Sequence, residues 1–269
     1  MSDINQLLEI MASLRDPETG CPWDKKQSFE TILPYTIEET YEVAQAIEDK
    51  DMASLKVELG DLLFQVVFYA QMAKEQGEFD FSDIVEGISN KLISRHPHVF
   101  ADTQITSAEA QTQAWDEHKQ REREAKAQDE QRQASVMDDI PKALPGLMRA
   151  LKIQRRAARV GFDWAETEPV LAKIEEEIAE IRQALAEGAD HDHITHEVGD
   201  LMFACVNLAR HLKVDPEVAM RGINQRFIQR FQYVEQHVQN QGIRLEQAGL
   251  EKMTEGWELA KLNETKVKQ

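Results

Sequence analysis

The segment Leu59-Gly-Asp-Leu-Leu-Phe-Gln-Val-Val-Phe-Tyr-Ala70 is the clearest indication of the fold class. Its apolar side chains recur three or four residues apart, which is the period of an α-helix. Phe64 and Phe68 make the opposite face apolar too, so we expect this helix to be buried on nearly all sides. The chain has only 12 Gly and 8 Pro, and it lacks the period-two alternation of hairpins. The sequence predicts an all-α protein built from antiparallel helical bundles.

A search for internal repeats shows that this segment occurs twice. Other motifs recur with it in the same order: Gly20-Cys-Pro-Trp23 with Gly161-Phe-Asp-Trp164, Glu38-Glu39-Thr-Tyr-Glu42 with Glu176-Glu177-Ile-Ala-Glu180, Glu58-Leu-Gly-Asp61 with Glu197-Val-Gly-Asp200, Lys91 and Arg95 with Arg226 and Arg230, and Trp115 and Lys119 with Trp257 and Lys261. We therefore predict two copies of one helical module, at residues 1–119 and 141–269. Residues 120–140 are a charged linker, which can be a solvated helix because Glu, Lys, Gln and Ala are strong helix formers.

The composition excludes several classes of function. Lys and Arg number 31 against 49 Asp and Glu, a net charge of −18, so electrostatics alone would not hold a nucleic-acid polymer or an anionic membrane. Two cysteines without a Cys-x-x-Cys pair provide neither a disulfide framework nor a zinc site. No signal-peptide pattern is visible, and no apolar stretch approaches the ~20 residues that span a bilayer. We expect a cytoplasmic protein, with Cys205 packed in the core of an apolar helix.

Carboxylates at helical spacing carry the strongest functional signal. Glu39 and Glu42 share one helix face, as do Glu58 and Asp61 on the next helix, so two facing helices would bring four acids together. Anions that close raise one another's pKa values or require a cation. The second copy repeats the arrangement with Glu177, Glu180, Glu197 and Asp200.

Two other interpretations of these acids have to be weighed: a solvated helix face and a di-iron centre. A Glu-rich helix segment taken alone is most often a solvated face. Asp61 and Asp200, however, both lie in apolar runs beside a mid-helix glycine, which costs ~1 kcal/mol relative to alanine. A di-iron centre would use Glu-x-x-His on two helices, and the sequence contains no such motif. The all-oxygen set favours Mg²⁺, with Mn²⁺ also suitable.

Basic residues at helical spacing complement the acids. Arg226 and Arg230 lie on one helix face, and guanidinium groups match phosphate oxygens in two-pronged fashion. Ordinary surface ion pairs are the alternative for these two arginines. Taken with the acids, they indicate a phosphate-containing substrate that a metal ion bridges to the protein.

These motifs resemble those of the MazG family of nucleoside triphosphate pyrophosphohydrolases. Glu-Glu-x-x-Glu followed by Glu-x-x-Asp occurs in both copies, and the likeness extends to Cys21-Pro-Trp23-Asp24 and His96-Pro-His-Val-Phe100. The resemblance implies an all-α, Mg²⁺-dependent enzyme, usually a homodimer whose four-helix bundles are completed between subunits. Such an enzyme splits an NTP or dNTP into the nucleoside monophosphate and pyrophosphate. Water activated by the metal attacks the α-phosphorus, and one acid not fully occupied by metal serves as general base.

Carried onto this sequence, the resemblance assigns ligands to both copies. In the second copy, Glu177, Glu180, Glu197 and Asp200 are the metal ligands and catalytic acids, Arg226, Arg230 and Lys261 bind phosphate, and Trp257 packs near the nucleotide. In the first copy, the corresponding metal ligands are Glu39, Glu42, Glu58 and Asp61, and the substrate-binding residues are Lys91, Arg95, Trp115 and Lys119.

Two asymmetries favour the second copy as the main hydrolytic site. Lys173 precedes Glu177 by four residues and can reach a phosphate, whereas its counterpart in the first copy is the neutral Tyr35. Pro97 stops the helix that carries Arg95, whereas the helix of Arg230 continues. The first copy is then a weaker or structural site.

Two rival functions stay open at this point. One is a pyrophosphatase for a single nucleotide such as dUTP, because side chains outside the acids choose the base. The other is a non-catalytic helical dimer that binds nucleotide as a regulator. Two further patterns are interpreted as structural: His191, His193 and His196 as a loop and helix start, and Phe227, Phe231 and Val234 as core or dimer contacts.

Overall fold

The protein is built from helices. The computed structural model describes residues 3–101 and 107–267, and within these ranges it contains no β-strand, which confirms the all-α prediction. The α-helices are α1 (Ile4–Leu14), α2 (Phe29–Glu48), α3 (Met52–Glu75), α4 (Phe81–Arg95), α5 (Pro97–Phe100), α6 (Ala108–Asp129), α7 (Gly146–Arg159), α8 (Glu168–Glu187), α9 (His191–His211), α10 (Pro216–Asn240) and α11 (Gly249–Val267). None of the helices in the described ranges is long and apolar enough to cross a membrane.

Polar residues and one glycine set the ends of the helices that matter most for the site. Ser28 caps α2, Asp51 caps α3 and Asp190 caps α9, each by accepting a backbone N–H of the first turn. Helix α8 ends at Glu187 and is capped by Gly188, whose φ of +67° lies in the left-handed region that glycine adopts without strain. The chain can therefore turn sharply from α8 into α9.

The chain divides into two compact units, unit 1 at residues 1–119 and unit 2 at residues 120–269. The division falls inside α6, which continues to Asp129. Arg123 and Ala127 are buried, so the expected solvated character of residues 120–140 is wrong for this part. A charged helix also buries whichever of its residues face a neighbour, and composition does not reveal that face.

In unit 1, α2 packs against α3, and α1 packs against α3 as well. Met11, Ile32, Val67, Phe68 and Met72 form a core with exposed fractions of 2% or less. The expectation that the Leu59–Ala70 helix is buried on nearly all sides is wrong, because Leu59 and Leu63 are 50% and 41% exposed. The core residues of α3 all lie in its C-terminal half, which leaves the half with the acids open.

In unit 2, α8 packs against α9, α7 packs against α9, and α10 contacts both α11 and α7. Val234 is buried in a cluster with Val238 and Ala248, as a core residue should be, whereas Phe227 is 55% exposed. The placement of Cys205 in the core is wrong, because the buried face of α9 holds its neighbours Ala204 and Asn207 instead.

The three clustered histidines all belong to a helix. Helix α9 begins at His191, so the expected loop is absent at these residues. His193 lies one turn before Glu197, with 3.2 Å between its Nε2 and Glu197 Oε1.

Candidate active site

Each unit brings three of its four expected acids together. Carboxylate oxygens within 4.8 Å of one another are contributed by Glu39, Glu42 and Glu58 in unit 1, and by Glu177, Glu197 and Asp200 in unit 2. The fourth acid of each set, Asp61 or Glu180, lies outside the group but close enough for its charge to interact with a member. Each group lies on a pair of packed helices, α2 with α3 in unit 1 and α8 with α9 in unit 2. The acids of one helix share a face because their spacing matches the helical turn.

Crowding of the carboxylates is visible in their pKa values. Partial loss of hydration, followed by the charges of Asp61 and Glu42, raises the pKa of Glu39 above its usual value. Loss of hydration and then the charge of Glu42 raise the pKa of Glu58 in the same way. In unit 2, loss of hydration and the charge of Glu177 raise the pKa of Glu180, and Lys173 acts in the opposite direction. A bound cation would relieve this repulsion in both units.

Glu177 is the acid whose surroundings fit a metal ion best. Its side chain is buried, and its Oε1 lies 2.8 Å from Lys173 Nζ. Its Oε2 is also buried and has no hydrogen-bond partner within the described part of the chain. A buried carboxylate oxygen left without a partner is costly, and a cation bound there would satisfy it. The hard oxygen ligands of this group suit Mg²⁺ or Mn²⁺.

The ammonium group of Lys173 is paired with acids, so it is not available to a phosphate in this arrangement. Its Nζ is 2.8 Å from both Glu176 Oε1 and Glu177 Oε1. These hydrogen bonds, to Glu176 first and then to Glu177, raise the pKa of Lys173 above its usual value, so the ammonium group keeps its charge. To bind a phosphate, Lys173 has to give up at least one carboxylate.

A cavity of about 560 Å³ opens beside the acids of unit 2. Glu177, Asp200 and Lys173 belong to its wall, together with apolar side chains and further polar ones, of which Gln154 and Asn207 are buried. The apolar lining includes Met137, Ile153, Phe162, Trp164 and Phe203, and the polar lining includes Gln154, Asp163, Asn207 and Arg210. Its volume lies in the range of pockets that bind small molecules.

Sequence reasoning missed most of this cavity. The repeated Gly161-Phe-Asp-Trp164 motif signals its aromatic part, since the motif recurs in both copies. Gln154 and Asn207 give no signal, because a single polar residue in an apolar helix is common. The packing of α7 on α9 brings both to the wall of one cavity, where Gln154 Nε2 donates to Phe203 O at 2.8 Å.

The expected phosphate-binding residues of unit 2 line a different cavity, of about 400 Å³, which includes Arg226 and Arg230. Arg230 donates to both oxygens of Glu264, at 2.9 and 2.8 Å, and its guanidinium lies 5.5 Å from the ring centroid of Trp257. Trp257 also packs against Phe227, with 5.0 Å between ring centroids. Lys261 Nζ lies 3.1 Å from Glu258. Within one chain, Glu177 and Asp200 therefore line one cavity, and Arg226 and Arg230 line another.

The corresponding residues of unit 1 lie near the end of α4. Lys91 is exposed, and α4 ends at Arg95, as Pro97 predicts. Trp115 Nε1 donates to Arg95 O at 3.2 Å, and the edge of its ring packs against His96 at 5.4 Å. Lys119 is exposed at the end of the unit.

Comparison with known proteins connects both units to one activity. A family model described as the MazG nucleotide pyrophosphohydrolase domain matches residues 27–100, and a model described as phosphoribosyl-ATP pyrophosphohydrolase matches residues 144–227. The nucleoside triphosphate pyrophosphohydrolase of Escherichia coli strain K12 is 52% identical over 268 residues, which cover 98% of this chain and 99% of that protein. This chain belongs to the MazG family.

Further relatives show the same likeness along nearly the whole chain. The Thermotoga maritima nucleoside triphosphate pyrophosphohydrolase/pyrophosphatase MazG is 43% identical over 256 residues, covering 95% of this chain and 94% of that protein. The uncharacterized protein YabN of Bacillus subtilis is 38% identical over 255 residues, which are 95% of this chain and 51% of YabN. Membership of the MazG family makes the chain a pyrophosphohydrolase of nucleotides, and the acid groups of both units fit the metal dependence general to such enzymes.

Proposed function

We propose that unit 2 hydrolyses nucleoside triphosphates, NTPs and dNTPs alike, to the nucleoside monophosphate and pyrophosphate. The observation that carries the proposal is the position of the buried, unsatisfied Glu177 carboxylate at the wall of the 560 Å³ cavity. The triphosphate would lie at the acids, and the nucleoside would occupy the part of the cavity lined by Phe162, Trp164 and Phe203. Aromatic side chains of this kind provide stacking surfaces for a base.

Glu177, Glu197 and Asp200 would hold the metal, with Glu180 beside them. Bound there, Mg²⁺ or Mn²⁺ would neutralise triphosphate charge and lower the pKa of a coordinated water. Glu180 is suited to act as general base, because partial loss of hydration and the neighbouring Glu177 raise its pKa towards that of a useful proton acceptor. Its proton would come from the attacking water.

The reaction would proceed by displacement at the α-phosphorus. The water oxygen forms a bond to the α-phosphorus as its proton passes to the Glu180 carboxylate. The bond between the α-phosphorus and the oxygen that bridges to the β-phosphorus breaks, and pyrophosphate leaves with that electron pair. Lys173, released from one of its two carboxylates, would pair with a phosphate oxygen.

A homodimer would complete this site. Arg226 and Arg230 line a different cavity from the acids of their own chain, so we assign them, together with Trp257 and Lys261, to the triphosphate held by a second copy. Half-exposed apolar side chains on the acid-bearing helices, Leu59 and Leu63 on α3 and Val198 and Met202 on α9, support association of this kind. Arg230 would then exchange Glu264 for phosphate.

Unit 1 would be a weaker or structural site. Three of its acids group together, but Glu42 takes part there and Asp61 does not, whereas unit 2 uses Asp200 and not Glu180. Tyr35 takes the place of Lys173 and packs edge-on against Trp23, with 5.9 Å between ring centroids. Phe68 takes the place of Asn207 and is completely buried. Phe68 would therefore leave less room beside the acids of unit 1 than Asn207 leaves in unit 2.

Matched substitutions in the two units test the assignment. Glu180→Gln should lower kcat for pyrophosphate release by about 10² to 10⁴-fold, because the general base is lost while the size of the side chain is kept. Glu42→Gln, the same change at the corresponding position of unit 1, should leave kcat near that of the unchanged protein. Greater loss from Glu42→Gln would refute the assignment to unit 2.

A panel of canonical NTPs and dNTPs tests the breadth of the substrate range. We expect turnover of several bases, with pyrophosphate and the monophosphate as the products. Activity confined to dUTP or to any other single nucleotide would replace the broad assignment with a specific one.

A further inference from the structure

Two buried carboxamides line the cavity of unit 2, and each is held in one orientation. Gln154 is 7% exposed and Asn207 is 9% exposed. Gln154 extends from α7 and Asn207 from α9, one helical turn beyond Phe203. Both residues line the same cavity, and Gln154 bonds to Phe203 O, one helical turn before Asn207.

The bond to Phe203 determines which end of the Gln154 carboxamide is available. A backbone carbonyl can only accept, so Nε2 must face Phe203 O, at 2.8 Å. The other end, Oε1, is buried and has no hydrogen-bond partner within residues 3–101 and 107–267. An acceptor in that position is rarely left unsatisfied in a working protein. A small shift of the cavity wall would be needed to open it to a ligand, because Oε1 is closed to solvent here.

An ion-pair network determines which end of Asn207 is available. Arg210 donates to Asn207 Oδ1 from Nε at 3.0 Å and from Nη2 at 2.8 Å. Arg210 is held in turn by Asp163, to which both Nη1 and Nη2 donate. Asn207 Nδ2 is left as a donor, and it makes no hydrogen bond to any residue that the structure describes. One residue with an unsatisfied acceptor and one with an unused donor therefore line the same cavity.

We propose that Gln154 Oε1 and Asn207 Nδ2 bind the hydrogen-bonding edge of the substrate base. The proposal rests on the function assigned to unit 2 above. Each common base presents an N–H donor next to an acceptor on this edge: N6–H and N1 in adenine, N1–H and O6 in guanine, N4–H and N3 in cytosine, and N3–H and O4 in uracil and thymine. One acceptor beside one donor therefore accommodates every canonical base, and rejects a base that lacks the donor.

The repeat gives independent support. The alignment that pairs Asp61 with Asp200 and Phe64 with Phe203 pairs Phe68 with Asn207 and Gln71 with Arg210. In unit 1 the position of Asn207 is thus filled by an apolar ring in the core, and Gln71, at the position of Arg210, donates to Glu75 instead. A buried asparagine at a position that accepts phenylalanine is the kind of local departure that marks a functional site.

Purine riboside 5′-triphosphate, which differs from ATP only by the absence of the 6-amino group, tests the acceptor. The unchanged protein should favour ATP over this analogue by at least about tenfold in kcat/KM, because the analogue leaves Gln154 Oε1 unsatisfied. Gln154→Met should bring the ratio close to one by lowering kcat/KM for ATP alone. Gln65→Met is the matched control, since Gln65 is a buried glutamine of unit 1 with an unsatisfied Oε1. It should keep the original ratio.

A change of the donor tests the second half of the pair and does not depend on the stability of the Gln154 variant. Asn207→Asp keeps the shape and the contact with Arg210 but replaces the donor by an acceptor, which matches the N1–H and N2–H groups of guanine. The ratio of kcat/KM for GTP to that for ATP should rise about tenfold. A ratio of ATP to analogue near one in the unchanged protein, or ratios that neither substitution alters, would overturn the proposal. If Glu180→Gln abolishes turnover while these ratios stay fixed, only the base contact is refuted. Full turnover in Glu180→Gln would refute the assigned function instead.

Discussion

At corresponding positions of the repeat, unit 1 has Phe68 and unit 2 has Asn207. Phe68 is fully buried with Met11, Val67 and Met72, and the Arg15 guanidinium lies 5.5 Å from the centroid of its ring. Asn207 lines a cavity of about 560 Å³. Each unit brings three acids together, but Glu42 belongs to the group of unit 1 and Asp200 to that of unit 2. A further difference lies in the core beside the acids, where Phe68 is packed in unit 1 and Asn207 borders a cavity in unit 2.

Exchanging these two residues should have the largest effect. Asn207→Phe should lower kcat/KM for NTP hydrolysis by more than about 100-fold, because the ring would occupy the cavity and displace the substrate from its reactive position. Phe68→Asn should leave hydrolysis per folded molecule unchanged but destabilise unit 1 by about 3 to 5 kcal/mol, through lost apolar burial and a buried polar group. Steady-state kinetics and urea unfolding would measure the two effects. Equal loss of activity from both substitutions would contradict the contrast between the units.

Mixing two inactive variants sharpens the comparison by asking whether unit 2 needs a second chain. If the acids and the arginines of a working site come from different subunits, Glu180→Gln and Arg230→Ala should each be nearly inactive alone. After exchange of subunits, half of the dimers are mixed and each contains one intact site, so about a quarter of the original activity should return. Pyrophosphate release before and after mixing is the measurement. Failure to recover activity, in a mixture shown to contain mixed dimers, would place both sets of residues in one chain.

Divalent metal should stabilise both units, and more so at higher pH. The raised pKa values of Glu39, Glu58 and Glu180 mean that these acids favour the folded state when protonated, and that this contribution is lost as the pH rises through the raised values. Above that pH range the carboxylates are ionised, and a bound metal ion relieves their repulsion in place of the protons. Mg²⁺ near 100 times its Kd should add about 2.7 kcal/mol per site at neutral pH, and less in mild acid.

Thermal unfolding with and without Mg²⁺ measures this stabilisation. Glu39→Gln and Glu177→Gln should each remove the contribution of one unit and leave that of the other. A stabilisation by Mg²⁺ that grows as the pH falls would contradict the metal assignment.

The turns between the acid-bearing helices should show the smallest difference. Unit 2 uses Gly188 at φ +67°, whereas unit 1 has Lys50 at φ +56°. Gly188→Ala should destabilise unit 2 by about 1 kcal/mol, because a side chain disfavours this conformation, and Lys50→Gly should stabilise unit 1 by a similar or smaller amount. Chemical denaturation would measure both. The two substitutions should change the free energy of unfolding in opposite directions. Changes in the same direction would show that the two turns are not comparable.

The sequence predicted the acid groups because the residues of each pair lie three residues apart on one helix. Glu39 with Glu42, and Glu58 with Asp61, share a helix face by geometry that any helix imposes. Tertiary packing decided the rest. Arg230 bonds to Glu264, which lies 34 residues away, and Gln154 bonds to Phe203, 49 residues away. Such pairings depend on how helices pack, and spacing along one helix does not encode them.

Burial was the least predictable property. The apolar period of Leu59 to Ala70 correctly indicated a helix, but the same period cannot show which neighbour covers each face. Leu63 is half-exposed while Val67, one turn later, is fully buried, because only the latter lies in the core with Met11 of α1. The prediction that Cys205 is buried was wrong for the same reason, because its apolar neighbours in the sequence do not show that it lies on the outward face of α9.

Every residue that lines the 560 Å³ cavity of unit 2 belongs to one continuous stretch of the chain, from Met137 to Arg210. Its acids come from α8 and α9, which a three-residue connection joins at Gly188–Asp190. Contacts between segments so near in sequence close with little loss of chain entropy and form quickly during folding. This cavity can therefore take shape during synthesis before α10 and α11 have been translated, and Arg226 and Arg230 on α10 follow it.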